Sequence, residues 1–122
     1  MLSLFRVMTD FQRNLFHVAF VGPLFLYVGF ARETTPDAVF NGLGVMALVI
    51  LVYHTYRAYS KLKENKSAWV NWIHIFLIVP LLLLIAYLKK DTSRRYFEML
   101  IMLGCAAIGY HALYLIRSSI LD

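Results

Sequence analysis

Four segments of this chain are apolar on every face of a helix, and they cover residues 15–31, 38–56, 68–88 and 96–116. Each is close to the roughly 20 residues that an α-helix needs to cross the hydrocarbon core of a bilayer. Because 61% of the residues are hydrophobic and only 16% are charged, too few polar residues remain to cover a small water-soluble bundle. The sequence therefore predicts an integral membrane protein in contact with the lipid bilayer, and it argues against a nucleic-acid-binding protein.

The short connections between these segments predict an all-α, integral membrane four-helix bundle over residues 14–122, with consecutive helices antiparallel. Residues 1–13 form a separate segment, in which apolar residues recur at helical spacing among polar ones. That pattern is typical of a short amphipathic helix lying in the membrane interface. Thr35, in Thr-Pro-Asp, and Ser67 are predicted to cap the second and third helices.

Four crossings place both termini on one side of the membrane. The basic residues on that side are Arg6, Arg13, Arg57, Lys61, Lys63, Lys66 and Arg117, and those on the other side are Arg32, Lys89, Lys90, Arg94 and Arg95. The excess on the first side predicts cytoplasmic termini. The lysines at 61, 63 and 66 are interpreted as a solvated loop.

The chain repeats itself at an offset of 57 residues without a gap. Residues 14–60 align on 71–117 with ten identities. The most informative pairs are Asn14 and Asn71, His17 and His74, Pro23 and Pro80, Tyr53 and Tyr110, and His54 and His111. The alignment predicts two tandem helical hairpins from an internal duplication, related by a pseudo-two-fold axis along the membrane normal.

This repeat assigns one histidine to each helix, and all four lie toward the side that carries the termini. They are His17, His54, His74 and His111. A histidine inside the membrane is costly unless it is paired, and neutral imidazole is a common ligand of haem iron, zinc and copper. We therefore predict that these histidines bind haem b or a transition-metal ion (zinc, copper or iron). The competing interpretation is a buried layer of hydrogen-bonded polar side chains.

Asparagines, small residues and prolines near the histidines are also predicted to contribute to this site. Asn14 and Asn71 precede His17 and His74 by three residues, on the same helix face, so their amides are predicted to orient those rings. The small residues Ala47, Gly104 and Ala107 are predicted to leave a gap for a flat cofactor, although small residues also serve close helix packing. Pro23 and Pro80 are predicted to kink the first and third helices.

Three functions are consistent with these features. In the first, the histidines hold haem or a metal ion for electron transfer or metal handling, which is similar in chemistry to the ligand arrangement of membrane b-type cytochromes, although no motif of that family is present. The second is a proton or cation conduit gated by the histidine layer. The third is a non-catalytic subunit that binds a membrane-protein partner or forms a homo-oligomer. The chain contains no glycine-rich phosphate loop and no serine–histidine–acid arrangement. The sequence therefore points to no particular enzymatic reaction, and whether the protein is an enzyme stays an open question.

Overall fold

Four long apolar helices make up the chain in the computed structural model, which describes residues 8–121 and contains no strand in that range. The helices are α1 (Asp10–Thr34), α2 (Asp37–Lys63), α3 (Trp69–Asp91) and α4 (Arg94–Ile120). Each is long and apolar enough to cross a membrane, which confirms the prediction of a multi-pass membrane protein. The helices extend beyond the predicted apolar segments because polar residues at their ends continue the helical backbone.

The first helix begins with a capping box. The side chain of Thr9 accepts a hydrogen bond from the Gln12 backbone N–H, and the Gln12 side chain accepts one from the Thr9 N–H. Residues 10–13, which the sequence predicted to belong to an interfacial segment, are therefore the first turn of α1. Residues 1–7 of that predicted segment lie outside the described residues.

The predicted caps of α2 and α3 are wrong. The N-cap residues are Pro36 and Ala68, and neither has a side-chain cap hydrogen bond. The Thr35 hydroxyl is buried and, within the described part of the chain, has no hydrogen-bond partner. Pro36 lacks an N–H in any case, so the start of α2 has one fewer donor to satisfy.

A π-turn interrupts both α1 and α3 at their histidines. The successive stretches of α1 are Asp10–Phe16 (α), His17–Val21 (π), Gly22–Ala31 (α) and Arg32–Thr34 (3-10). Those of α3 are Trp69–Ile73 (α), His74–Ile78 (π), Val79–Leu88 (α) and Lys89–Asp91 (3-10).

These π-turns end two residues before the prolines that were predicted as kink positions, Pro23 and Pro80. The N–H of Gly22 bonds to the carbonyl of His17, and the N–H of Val79 bonds to the carbonyl of His74, five residues back in each case. Proline has no N–H, and its ring crowds the carbonyl four residues before it. The wider π-turn accommodates this crowding in the turn that precedes Pro23 and Pro80, so each proline fixes the backbone next to a histidine.

The chain divides into two compact units. The first unit combines α1, up to Ala31, with α4 from Phe97, and the second unit covers Arg32–Tyr96, which contains α2 and α3. Each unit therefore pairs one helix from each of the two predicted repeats.

Glycines allow α1 and α4 to approach closely within the first unit. A Cβ atom on Gly22 would collide with the side chain of Ile108, and one on Gly29 would collide with that of Ile101. Gly22 and Gly29 are seven residues apart, as are Ile101 and Ile108, so two isoleucines of one helix fit against two glycines of the other. Close packing through small residues is the usual way in which membrane helices associate.

Candidate functional site: two histidine–asparagine clusters

In the first unit, His17 of α1 and His111 of α4 stack on one another. Their ring centroids are 4.0 Å apart and the ring planes differ by 21°. The Nδ1–H of His111 donates to Oδ1 of Asn14, on α1, at 2.8 Å. The Nδ1–H of His17 donates to the carbonyl of Arg13, one turn earlier in its own helix, at 2.7 Å. We call Asn14, His17 and His111 the first cluster.

The second unit contains the same arrangement, formed by residues 57 positions away. The rings of His54 and His74 stack with centroids 3.9 Å apart and planes 9° apart. Asn71 of α3 bonds to Nδ1 of His54, on α2, at 2.9 Å, and the Nδ1–H of His74 donates to the Val70 carbonyl at 2.7 Å. We call Asn71, His54 and His74 the second cluster.

These contacts divide the four histidines into two kinds. His54 and His111 are buried, with 9% and 7% exposure, and each is bonded to an asparagine on the other helix of its unit. His17 and His74 are half-buried, and each is bonded to a carbonyl of its own helix. The sequence alone did not distinguish these two kinds of histidine. Which histidine is buried between two helices depends on how the helices pair, and spacing along the chain does not specify that.

The asparagines bind different histidines from those that the sequence predicted. Asn14 was expected to orient His17, and Asn71 to orient His74, but the amides bond to His111 and His54. The carbonyls of Arg13 and Val70 already accept from His17 and His74, so each amide is used between helices. An interhelical bond satisfies two polar groups that would otherwise be buried without a partner in the membrane.

A lysine that the sequence placed in a solvated loop belongs to the second cluster. Lys61 lies in the last turn of α2, and its Nζ donates to Oδ1 of Asn71 at 2.7 Å. The interpretation of this residue as loop charge is therefore wrong. Its position seven residues after His54 places it on the same face of α2, and this spacing is the signal that could have identified it.

The stacked rings limit how the clusters could hold a metal ion. The lone pair of an imidazole nitrogen lies in the ring plane, so two nearly parallel rings do not direct their lone pairs at a common point. Among the described residues, no group of three or more His, Cys, Asp and Glu side chains is placed to hold a metal ion. In this arrangement, each stacked pair can supply one ligand to a given ion.

Of the three small residues that were predicted to line a cofactor gap, Gly104 packs against a neighbouring helix. A Cβ atom on Gly104 would lie 3.1 Å from the carbonyl oxygen of Gly22 and 3.1 Å from Cβ of Phe25, so this glycine packs directly against α1. Ala47 is fully buried in α2, whereas Ala107 is half-buried. Gly104 therefore serves helix packing in the first unit. Gly22 and Gly29, which the sequence analysis did not single out, do the same.

Comparison with protein-family models, with curated proteins and with solved structures finds no match for the chain. The four apolar helices define the protein as a multi-pass membrane protein. Any more specific function has to be argued from the two clusters themselves.

Proposed function

We propose that this multi-pass membrane protein ligates haem b or a transition-metal ion through imidazole, with His17 and His74 as the ligands. The observation that carries the proposal is the hydrogen bond from Nδ1–H of each ring to a backbone carbonyl, at 2.7 Å in both units. A neutral imidazole that donates from Nδ1 has its lone pair on Nε2. Histidines that ligate metals generally donate their other ring N–H to a carbonyl or carboxylate in this way.

Burial supports the choice of His17 and His74 over the other two histidines. Both rings are half-buried, whereas His54 and His111 are buried against an asparagine. Both rings also begin a π-turn, and such turns occur frequently at functional sites in helices. Since stacked rings cannot share one ion, we expect one ligand histidine in each unit.

The test is an absorption spectrum and a metal analysis on protein purified in detergent from its native membrane, without an affinity tag. We expect either a Soret band or bound zinc, copper or iron. The single variants His17→Ala and His74→Ala should each lose about half of the bound group, because the ligand is removed from one of two units. Tyr110→Phe, next to His111, is the control and should keep the full amount. Wild-type protein with no Soret band and no stoichiometric metal would exclude the proposal.

We also infer that the two repeats, residues 14–60 and 71–117, arose by duplication of one helical hairpin. Residues 57 apart occupy corresponding places in the two clusters, since each half-buried histidine donates to a carbonyl of its own helix and each buried histidine is hydrogen-bonded to an asparagine of the other helix. Burial supports the same inference, because the identical pairs Phe40 and Phe97, and Leu43 and Leu100, are fully buried or nearly so. A duplicated ligand site would account for the two matched clusters.

A second candidate, a non-catalytic membrane subunit, is favoured by the interhelical asparagine–histidine bonds and by the glycine contacts between α1 and α4. In this function the clusters only join helices. Such a protein would contain no cofactor and would co-purify with a stable membrane-protein partner or as a homo-oligomer. A colourless, metal-free protein that purifies as a solitary particle would argue against both candidates.

A proton or cation conduit has less support. Beyond the histidine of α1, the buried side chains toward the other end of the first unit are apolar, and they include Phe25, Val28, Phe97 and Leu100. A conducting path needs polar groups or water along its length.

A further inference from the structure

The amide of Asn71 has only one orientation that satisfies both of its neighbours. Lysine offers donors and no acceptor, so the atom 2.7 Å from Nζ of Lys61 must be the amide oxygen, Oδ1. The amide nitrogen, Nδ2, then faces the ring of His54 and donates to its Nδ1 at 2.9 Å. A neutral ring that accepts at Nδ1 has its hydrogen on Nε2.

In the first cluster the hydrogen bond between asparagine and buried histidine has the opposite direction. The position that corresponds to Lys61 is Ser118, whose hydroxyl donates to the Leu115 carbonyl at 3.0 Å, within its own helix. Oδ1 of Asn14 accepts from Nδ1–H of His111 at 2.8 Å, so the neutral His111 ring has its lone pair on Nε2. The two buried histidines therefore differ in the position of one proton.

We propose that Lys61 is a positioning residue that sets the tautomer of His54 through Asn71, so that the two clusters present different groups. The first cluster then presents a lone pair at Nε2 on both of its histidines. The second cluster presents a lone pair on His74 and an N–H on His54. An Nε2 lone pair suits a metal or haem iron, whereas an Nε2–H suits a hydrogen-bond acceptor such as a carbonyl or carboxylate oxygen. The two clusters each consist of two histidines and one asparagine, yet they would bind different kinds of ligand atom.

This inference concerns the protein without any bound group, so it can fail or hold independently of the proposed haem or metal site. The test is nitrogen NMR of metal-free protein with ¹⁵N-labelled histidine in detergent micelles. The pH should be about 8.5, roughly two units above the ordinary imidazole pKa of about 6.5, so that the rings are neutral. The ¹⁵N signals distinguish protonated from unprotonated ring nitrogens, and single histidine variants assign them. We expect wild-type His54 to have its hydrogen on Nε2, and wild-type His111 to have its hydrogen on Nδ1.

Exchanging the residues at the two corresponding positions gives matched variants. Lys61→Ser should allow the Asn71 amide to turn, so that the His54 hydrogen shifts to Nδ1, wholly or in part. Ser118→Lys should shift His111 in the opposite direction. Lys61→Arg retains donors without an acceptor and should keep the wild-type His54 tautomer, and Lys63→Ser, on an exposed lysine, should change neither ring.

Two results would overturn the proposal. One is the observation that wild-type His54 has its hydrogen on Nδ1. This measurement does not depend on whether any variant folds. The other is an unchanged His54 tautomer in Lys61→Ser.

Discussion

In each unit, the side chain of one asparagine joins two membrane helices. These asparagines are Asn14 and Asn71. Both are buried, with 8% and 3% exposure, and each bonds to a histidine on the other helix. A buried amide in a membrane has no water to replace a lost partner. The bond therefore contributes to stability mainly because breaking it leaves two polar groups unsatisfied.

Replacing Asn14 by leucine tests this contribution. Asn14→Leu should lower the free energy of unfolding in detergent by about 1–2 kcal/mol, since His111 loses the acceptor for its Nδ1–H. Asn41→Leu, on an exposed face of α2, is the control and should cause no loss. Equal losses in the two variants would show that the interhelical bond contributes nothing specific.

How far the histidine site could be predicted differs from residue to residue. The apolar surroundings and the repeat identified His17, His54, His74, His111 and the two asparagines, because polar residues inside a membrane segment need partners. Which asparagine bonds which histidine depends on how helices pair across the repeats, and one sequence does not contain that information. Lys61 was missed because α2 extends past the apolar segment and includes it as a helical residue.

At the scale of the helices, the close contact between α1 and α4 is possible because Gly22 and Gly29 have no Cβ atom. Gly29 lies against the backbone of α4, where an added Cβ would be 3.0 Å from the Phe97 carbonyl oxygen and 3.2 Å from the Ile101 nitrogen. Backbone atoms cannot move aside as a flexible side chain can. The glycine is therefore a requirement of the close helix contact rather than a source of flexibility.

Alanine substitutions measure this requirement. Gly29→Ala should lower the free energy of unfolding by about 1–3 kcal/mol, the usual cost of an overpacked contact. Gly109→Ala, on α4 where nothing lies within 4 Å of the added atom, should be neutral or gain up to about 1 kcal/mol from helix propensity. A Gly29→Ala variant as stable as Gly109→Ala would contradict the packing argument.

The four helices themselves were predictable, whereas the π-turns were not. Length and composition determine where a membrane helix can form, and the polar connections mark its ends approximately. The prolines indicated a disturbance at the correct places. Whether proline produces a kink or a π-turn depends on small differences in backbone hydrogen bonding that the residue types around Pro23 and Pro80 do not specify.

At the scale of the whole molecule, we expect each of the four apolar helices to cross the membrane once. Four crossings would place the connection between α2 and α3 on the same side of the membrane as the start of α1 and the end of α4, and the other two connections on the opposite side. The basic residues are more numerous on the first side, which is the basis for expecting it to face the cytoplasm.

Labelling of introduced cysteines checks this topology in a Cys105→Ala background. Ser67, Ser93 and Ser119 are exposed, and serine to cysteine is a conservative change at each of them. With intact cells and a thiol reagent that does not cross membranes, Ser93→Cys should be labelled and Ser67→Cys and Ser119→Cys should not. All three should react once the membrane is permeabilised. Labelling of Ser67→Cys alone would contradict the number of crossings, and labelling of Ser67→Cys and Ser119→Cys together would reverse the orientation.

The π-turns also determine where the chain tolerates a change in length. A π-turn contains one residue more than an α-helical turn, so α1 and α3 each carry the equivalent of a one-residue insertion next to a histidine. Removing one residue inside His17–Val21 would close the π-turn while both flanking stretches keep the faces that they now present, at the cost of renewed crowding between the Pro23 ring and the carbonyl four residues before it. The same deletion elsewhere in α1 would rotate everything beyond it by about 100° and separate the apolar contacts from the cluster. Homologous chains one residue shorter at this point could therefore retain the same fold.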